Sequence, residues 1–396
     1  EIMPLAEICE FKNGLWKGKK PPFVHVGVIR NTNFNSDGTL DESDIAFLDV
    51  EKKQFQSRQL HIGDIILEKS GGGPKQPVGR VIVFEKSEGL YSFSNFTSVI
   101  RILTSQQICH RYLHKVLYWY YLSGVTEQMQ RRSTGIRNLD FNSYKQLKIP
   151  MPPLAEQRRI VGILDEAFDA IAQANANAEK NIKNAREVFE SHLNAVFTQR
   201  GEGWEEKKLN DIATHSLGKM LDKAKNKGEP KPYLRNVNVR WFSFDLSDLL
   251  EMRFLSSETE RYTIIKDDLV ICEGGYPGRA AIWSEEYPVY FQKALHRVRF
   301  HQREHNKWFL YFLYCQEKNG NLKRYFTGTG IQHFTGNALG RVLIPIAPLP
   351  KLRRFLSGFD LLYSETRRLE SIYQRKVAAL DELKKSLLHQ AFTGGL

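Results

Sequence analysis

A stretch of 65 residues occurs twice in this chain, at 134–198 and 329–393, at a constant offset of 195 residues and without a gap. Thr134-Gly135-Ile136 returns as Thr329-Gly330-Ile331, and Ile149-Pro150 as Ile344-Pro345. Pro153-Leu154 returns as Pro348-Leu349, Arg158-Arg159 as Arg353-Arg354, Asp165 as Asp360, and Phe197-Thr198 as Phe392-Thr393. An ungapped match of this length is a duplication, so any fold proposed for one copy must serve for both.

Each copy runs from a Thr-Gly turn through a short apolar strand and a proline stop into one long helix. Proline is excluded from a helix interior but tolerated at its first turn, and after Pro153 the next proline is Pro230. Between them Ile160, Leu164, Ala167, Ile171, Ala174, Ala178, Ile182, Ala185, Phe189, Leu193 and Val196 recur at steps of three and four. Phe355, Phe359, Leu362, Leu369, Tyr373, Val377, Leu380, Leu383 and Leu387 form the corresponding stripe in the second copy. Such a stripe is the seam of a helix that buries one side against another helix. Both copies take two consecutive steps of four at the same place, Ala174-Ala178-Ile182 and Leu369-Tyr373-Val377. A shared stutter of this kind locally unwinds a supercoil and makes the two helices each other's natural partner.

About 40 helical residues make a rod of about 60 Å. Only residues 198–203 separate the first helix from the opening of the next globule at Trp204, and they reach about 20 Å at most. The chain cannot retrace the rod, so the two helices are expected to run antiparallel.

The remaining sequence, 1–150 and 200–345, forms two globules that resemble each other more loosely. Leu5-Ala6-Glu7-Ile8 matches Leu209-Asn210-Asp211-Ile212, Gly14 matches Gly218, and Gly63-Asp64-Ile65-Ile66-Leu67 matches Asp267-Asp268-Leu269-Val270-Ile271. Each last strand enters a glycine-rich loop ending in Gly79-Arg80 or Gly278-Arg279. Short β-rich runs at 23–29, 62–67, 80–84 and 96–103 predict a small mixed sheet, followed by aromatic helices at 112–122 and 308–315 whose rings serve the core. Trp204 and its neighbours have no counterpart ahead of Glu1, which suggests that a few native residues precede it. The expected fold class is therefore α+β: globules at 1–150 and 200–345 separated by helical regions at 151–199 and 346–396, which pair as an antiparallel coiled coil with pseudo-two-fold symmetry.

Charge and composition limit the function. The formal net charge is +12; the long helices contribute −2 and +4, so the globules carry nearly all of the excess. No run of 18 apolar residues is present to span a membrane. Cys9, Cys109, Cys272 and Cys315 are far apart, fitting neither disulfides nor zinc and pointing to a reducing cytoplasm. There is no phosphate-binding loop of the Walker type, no Asn-Pro-Pro-Tyr, and no paired-histidine metal spacing. Glu51-Lys52-Lys53 has the look of part of a nuclease motif, but such triplets arise by chance in a chain with 26% charged residues. These absences predict no cofactor, no metal and no catalytic residue.

What remains is basic and glycine-containing loop, suited to a polyanion. Lys69-Ser70-Gly71-Gly72-Gly73-Pro74-Lys75-Gln76 leaves a strand, with Lys69 and Lys75 suited to phosphates and Gln76 to adenine. In the second globule Glu273-Gly274-Gly275-Tyr276-Pro277-Gly278-Arg279 takes its place, with Arg279 suited to guanine and Glu273 to cytosine. Arg131, Arg132, Thr134 and Arg137 mark a further surface, matched by Thr329, Gln332 and His333. Lys17, Lys19, Lys20, Lys219 and Lys223 lie on basic loops near the start of each globule. The loops differ in chemistry, as two domains that read different sequences would.

The run Ser133-Thr134-Gly135-Ile136, with Lys148-Ile149-Pro150-Met151-Pro152-Pro153-Leu154-Ala155-Glu156-Gln157-Arg158-Arg159-Ile160, resembles the specificity subunit of type I restriction–modification systems over essentially the full chain. The second copy departs from that pattern, with Pro350-Lys351-Leu352 where Ala155-Glu156-Gln157 stand. The resemblance implies a non-catalytic subunit with two target-recognition domains and two helical regions. It implies binding to a bipartite site in double-stranded DNA and carriage of two methyltransferase subunits, which two motor–nuclease restriction subunits can join. A structural rod whose globules bind proteins, or the recognition part of a single-chain restriction–modification enzyme, are the alternatives; phosphate-driven binding that weakens with salt separates the first of these from a DNA reader.

Overall fold

A computed structural model describes residues 1–16, 18, 20–73, 76–133, 136–222 and 224–395, with backbone alone at 131–133 and 136. Lys17, Lys19, Lys75, Thr134 and Lys223, five of the candidate contacts, lie outside the described residues. The chain packs as two compact units, one built from 1–178 with 374–396 and the other from 179–373. Each long helix is divided between them.

Those helices, Leu154–Thr198 and Leu349–Thr393, are both 45 residues long. In the first unit Ile160, Val161 and Leu164, near the start of one helix, share a core with Leu388, Ala391 and Phe392 at the end of the other. In the second unit Phe189, Leu193 and Val196 share a core with Leu352, Leu356 and Phe359. Start meets end in both, so the pair is antiparallel, as the short link requires. The division falls after Ala178 and Tyr373, the central residues of the stutter in each copy. The seam positions Ile160, Leu164, Ile171, Ile182, Phe189, Phe355, Phe359, Leu362, Leu369, Val377 and Leu380 are all buried or half-buried. Leu383 is not: it is 46% exposed, because the apolar stripe passes to Leu387 and Leu388, where the helix meets the globule.

Two features fix the helix pair in the second unit. Glu370, buried in the seam, accepts from Arg186 across the interface and from Arg367 on its own helix at 2.8 Å. Phe189 meets Tyr363 with ring centroids 5.6 Å apart. The helix ends are aromatic plugs. Phe197 lies 4.8 Å from Trp308 and 5.4 Å from Phe312; its repeat mate Phe392 lies 5.6 Å from Tyr112 and 5.7 Å from Trp119. The aromatic helices His110–Leu122 and Glu304–Lys318 thus lend their rings to the core.

The two helix starts are stabilised differently. Gln157 is fully buried and its amide accepts from the Cys109 backbone at 2.9 Å while donating to the carbonyls of Gln107 and Pro152, each at 2.9 Å. Leu352 occupies the corresponding place, equally buried within the apolar core of the second unit. Pro350 falls in the first helical turn, where its missing N–H costs nothing. The helix therefore starts at the same offset despite the changed sequence.

In the first unit Cys9–Asn13, Thr97–Ile102, Ile65–Glu68 and Val81–Val83 form an antiparallel sheet in that order. Ala213–Leu217, Leu295–Phe300, Leu269–Cys272 and Ala280–Ile282 form the same sheet in the second. Central strands made of Ile65-Ile66-Leu67 and Leu269-Val270-Ile271 are fully buried, which explains their unbroken apolar sequence. A second sheet packs alongside, mixed in direction: Phe23–Ile29 pairs antiparallel with Ala46–Glu51 and parallel with Tyr91–Phe93. The sheets are clamped by repeated ion pairs, Arg101 with Asp64 at 2.7 and 2.6 Å and Arg299 with Asp268 at 2.7 and 3.0 Å.

Candidate nucleic-acid interface

Segments far apart in sequence meet at the end of the central strand in each unit. In the first, Ser70–Gly72 leaves that strand and pairs with Ile136–Leu139, which itself pairs with Gln130–Ser133. Ser70 donates to the Asn138 side chain at 2.6 Å. In the second, Gly274 bridges to His333 and His333 to Thr327; Thr327 and His333 exchange backbone hydrogen bonds at 2.9 and 2.8 Å. The loop they close, 328–332, needs glycine at Gly328, where φ is +104° and a Cβ would lie 2.3 Å from the Ile331 carbonyl oxygen. Its base is held by Phe334, fully buried and donating its N–H to the Glu273 carbonyl. Ser70–Gly72 and Gly274, read in sequence as parts of glycine-rich loops, are thus joined to Ile136–Leu139 and to His333 in one platform per unit.

A third segment completes it. Arg30-Asn31-Thr32-Asn33 and Arg235-Asn236-Val237-Asn238 form matching 3-10 turns, capped by Asn33 and Asn238, which accept from the Arg30 and Arg235 N–H at 2.9 Å. Arg30 and Arg235 pair with Asp44 and Asp248 at 3.1 and 2.7 Å. Asn236 donates to the Gly274 carbonyl at 3.1 Å, and Asn31 lies against Gly71. Sequence inspection missed these turns; the repeated Arg-Asn-x-Asn, at an offset of 205 beside the 204 that relates Leu5 to Leu209 and Gly14 to Gly218, was the available signal.

Several candidate residues serve the fold. Lys219, expected on an open basic loop, is 8% exposed and donates to Glu258 at 2.6 Å and to the Arg253 carbonyl at 2.9 Å. Arg137 is likewise buried, donating to Glu127 at 2.8 Å. Sequence places a cation on a loop but does not say whether a carboxylate from elsewhere reaches it. Lys69 is half-buried against Asn13 at 2.6 Å, and desolvation lowers its pKa. Gly72 is buried, 2.6 Å from the Gln76 carbonyl at a notional Cβ, so it has room for no side chain.

Others face outward. Lys20 is exposed, its N–H donating to Glu51. Gln76 is exposed and, with its amide oxygen turned inward, accepts from Arg80 at 2.9 Å. Tyr276, Thr329, Gln332 and His333 are exposed, and Ile331 stands 73% exposed beside them. Glu273 is half-buried; desolvation raises its pKa, with His333 and Lys293 nearby opposing the rise. The backbone of Arg131 and Arg132 runs in the hairpin strand. Among the described residues no cluster of His, Cys, Asp or Glu has the arrangement to hold a metal, and no helix is long and apolar enough to cross a membrane. The platforms offer donors, acceptors and cations on a hydrogen-bonded base, suited to hydrogen bonding along a polar polyanion.

Two similar units, each carrying such a platform and sharing a pair of antiparallel helices, define a duplicated binding protein rather than a single-site one. The profile of the family described as type I restriction modification DNA specificity domain matches residues 1–184 and 201–374, and the chain belongs to that family of type I restriction–modification specificity subunits. It is 23% identical to the type I restriction enzyme EcoKI specificity subunit of Escherichia coli strain K12, over 94% of this chain and 82% of the relative. It is 22% identical to the type I restriction enzyme MjaVIII specificity subunit of Methanocaldococcus jannaschii, over 70% and 69%. Two solved structures share its fold across the whole chain at 17% identity. One, from work on complex assembly and conformational transition of the type I R-M system, has a TM-score of 0.80 and is covered to 98%. The other, the HsdS subunit of Thermoanaerobacter tengcongensis, has a TM-score of 0.60 and is covered to 97%.

Proposed function

We propose that this chain is the non-catalytic sequence-recognition subunit of a type I restriction–modification complex, acting in the cytoplasm. Each unit reads one half of a bipartite duplex site with its platform. The long helices carry two methyltransferase subunits, one per unit, and two restriction subunits join where the system has them. The observation that carries this reading is the platform built twice on the same scaffold with different side chains: Lys69, Ser70 and Gln76 in one, Glu273, Tyr276 and Arg279 in the other. A common scaffold with divergent donors and acceptors suits two readers of different base sequences. The net charge of +12 favours a polyanionic partner over the protein-binding rod considered above.

The test is salt-dependent binding of the complex to duplex DNA. Neutralisation of several phosphates predicts an affinity that falls steeply between 50 and 200 mM salt, by about 10³ for six contacts. An affinity indifferent to salt would assign the globules to protein partners.

A further inference from the structure

The Arg-Asn-x-Asn turn beside each platform is held by the same set of contacts in both units. Asn33 Nδ2 donates to the carbonyls of Asp41 and Asp44 at 3.3 and 3.0 Å, and Asn238 Nδ2 to those of Asp245 and Asp248, each at 3.0 Å. Arg30 Nη2 donates to the carbonyl and carboxylate of Asp44 at 3.0 and 3.1 Å, and Arg235 Nη2 to those of Asp248 at 2.8 and 2.7 Å. Arg80 Nη2 donates to the Asn31 carbonyl at 3.0 Å, and Arg279 Nη2 to the Asn236 carbonyl at 2.9 Å. Arg279, suited in sequence to guanine, thus gives one of its donors to the turn.

Three of the four side chains in each turn are thereby spent on the fold. The arginine and the last asparagine tie the turn down, and the first asparagine leans on the glycine loop that leaves the central strand. Asn236 donates to the Gly274 carbonyl at 3.1 Å, and a Cβ on Gly71 would lie 2.8 Å from Asn31 Nδ2. Gly274 in turn bridges to His333, so the turn adjoins the platform directly. The remaining position differs between the units, Thr32 in the first and Val237 in the second. Thr32 is exposed and Val237 is 41% exposed. A frame repeated contact by contact, with one divergent side chain left facing solvent, suits two readers of different base sequences.

On the reading that the platforms bind DNA, we propose that position 32/237 sets base preference in each half-site, Val237 by contact with the 5-methyl group of a thymine in the major groove. Valine offers neither donor nor acceptor, and among the base edges of the major groove thymine is the one that presents an apolar group. Against any other edge valine strips water from a polar atom without replacing its hydrogen bond. Thr32 keeps a methyl group beside a hydroxyl that donates or accepts, so its half-site tolerates more than one base at the equivalent place. The two half-sites then differ at one base pair through one side chain carried on a common turn.

The experiment compares Val237→Ala and Thr32→Val with the wild type in the complex assembled with its methyltransferase subunits, using DNA libraries randomised in each half-site. Val237→Ala should lower the preference for thymine at one base pair of the second half-site, by about 4-fold for each methyl group in contact, with the first half-site unchanged. Replacing that thymine by uracil, which lacks the methyl group, should cost the wild-type complex about 4-fold in affinity and the Val237→Ala complex nothing, since the two changes remove the same contact. Thr32→Val should strengthen a thymine preference at one base pair of the first half-site alone. If Val237→Ala fails to fold by thermal unfolding, a uracil scan of the second half-site with the wild-type complex decides, and no loss at any thymine overturns the proposal. Unchanged preference in Val237→Ala, or equal weakening at every sequence, overturns it in favour of no contact or a phosphate contact. Uracil sensitivity retained in full by Val237→Ala overturns the methyl contact. Loss of methyltransferase subunits with base preference intact overturns it in favour of a protein contact. A wild-type complex with no sequence preference in either half overturns the DNA reading itself, a different result from any of these.

Discussion

Replacing Gln157 by leucine transplants into the first helix start the side chain that the second copy carries at Leu352. The substitution removes three hydrogen bonds of 2.9 Å from a fully buried amide. It strands the Cys109 N–H and the Gln107 and Pro152 carbonyls, at about 1–3 kcal/mol for each group left without a partner. Gln107 is exposed and Cys109 and Pro152 are only half-buried, so part of this is recovered through water. Added apolar burial returns about 1–2 kcal/mol. The balance is a loss of about 2–4 kcal/mol in the first unit. The reverse change, Leu352→Gln, buries an amide with no partner and costs a similar amount in the second. Backbone hydrogen exchange measured by segment is the assay, since a two-unit chain does not guarantee two-state unfolding. Gln157→Leu should accelerate exchange in 109–122 and 149–165 while leaving 304–318 as it was, and Leu352→Gln should do the opposite. Protection unchanged in both would refute the view that each helix start is locked by its own surroundings.

Lys219→Met should lower the unfolding midpoint of the second unit, corresponding to about 2 kcal/mol for a lost partly buried pair, with no change in the salt dependence of DNA binding. Lys75→Ala should weaken binding at every sequence, whereas Gln76→Ala should alter preference in one half-site only; competition binding against mutated half-sites separates the two. His114 and His296 are buried and neutral, with pKa values lowered by desolvation to about 4 from 6.5. The unfolded chain takes up those protons first, so stability holds above pH 6.5 and falls as pH drops from 6.5 towards 4; replacing both by glutamine should flatten the denaturation midpoint against pH in that window. Light scattering of the saturated complex should give two methyltransferase subunits per chain, and a plateau at one would reject the paired docking.

The long helices were legible because duplication and a three-four repeat leave few alternatives, and their antiparallel sense followed from a link too short to turn back. Leu383 shows the limit: periodicity extends the stripe through it, but the packing of Leu387, Leu388 and Phe392 on the globule decides where burial goes. The platforms were half legible. Glycine-rich and Thr-Gly-Ile segments stood out, yet nothing in their sequence says that Ser70 reaches Asn138 or that Gly274 bridges to His333. Register between the globules was the obstacle, because the loop from Glu68 to Arg80 is five residues longer than that from Cys272 to Arg279, so no single offset aligns them. Lys219 and Arg137 were unreadable for another reason. A solvated cation and a paired one have the same sequence, and only the fold brings Glu258 or Glu127 within reach.

The most direct measurement is base-resolution methylation mapping of DNA modified in cells by this chain with its methyltransferase subunits. The account predicts one bipartite motif, two short unlike half-sites separated by bases of no preference, with exchange of residues 200–345 for those of a relative changing one half-site alone. A continuous motif, two identical halves, or a change in both halves after that exchange would contradict it.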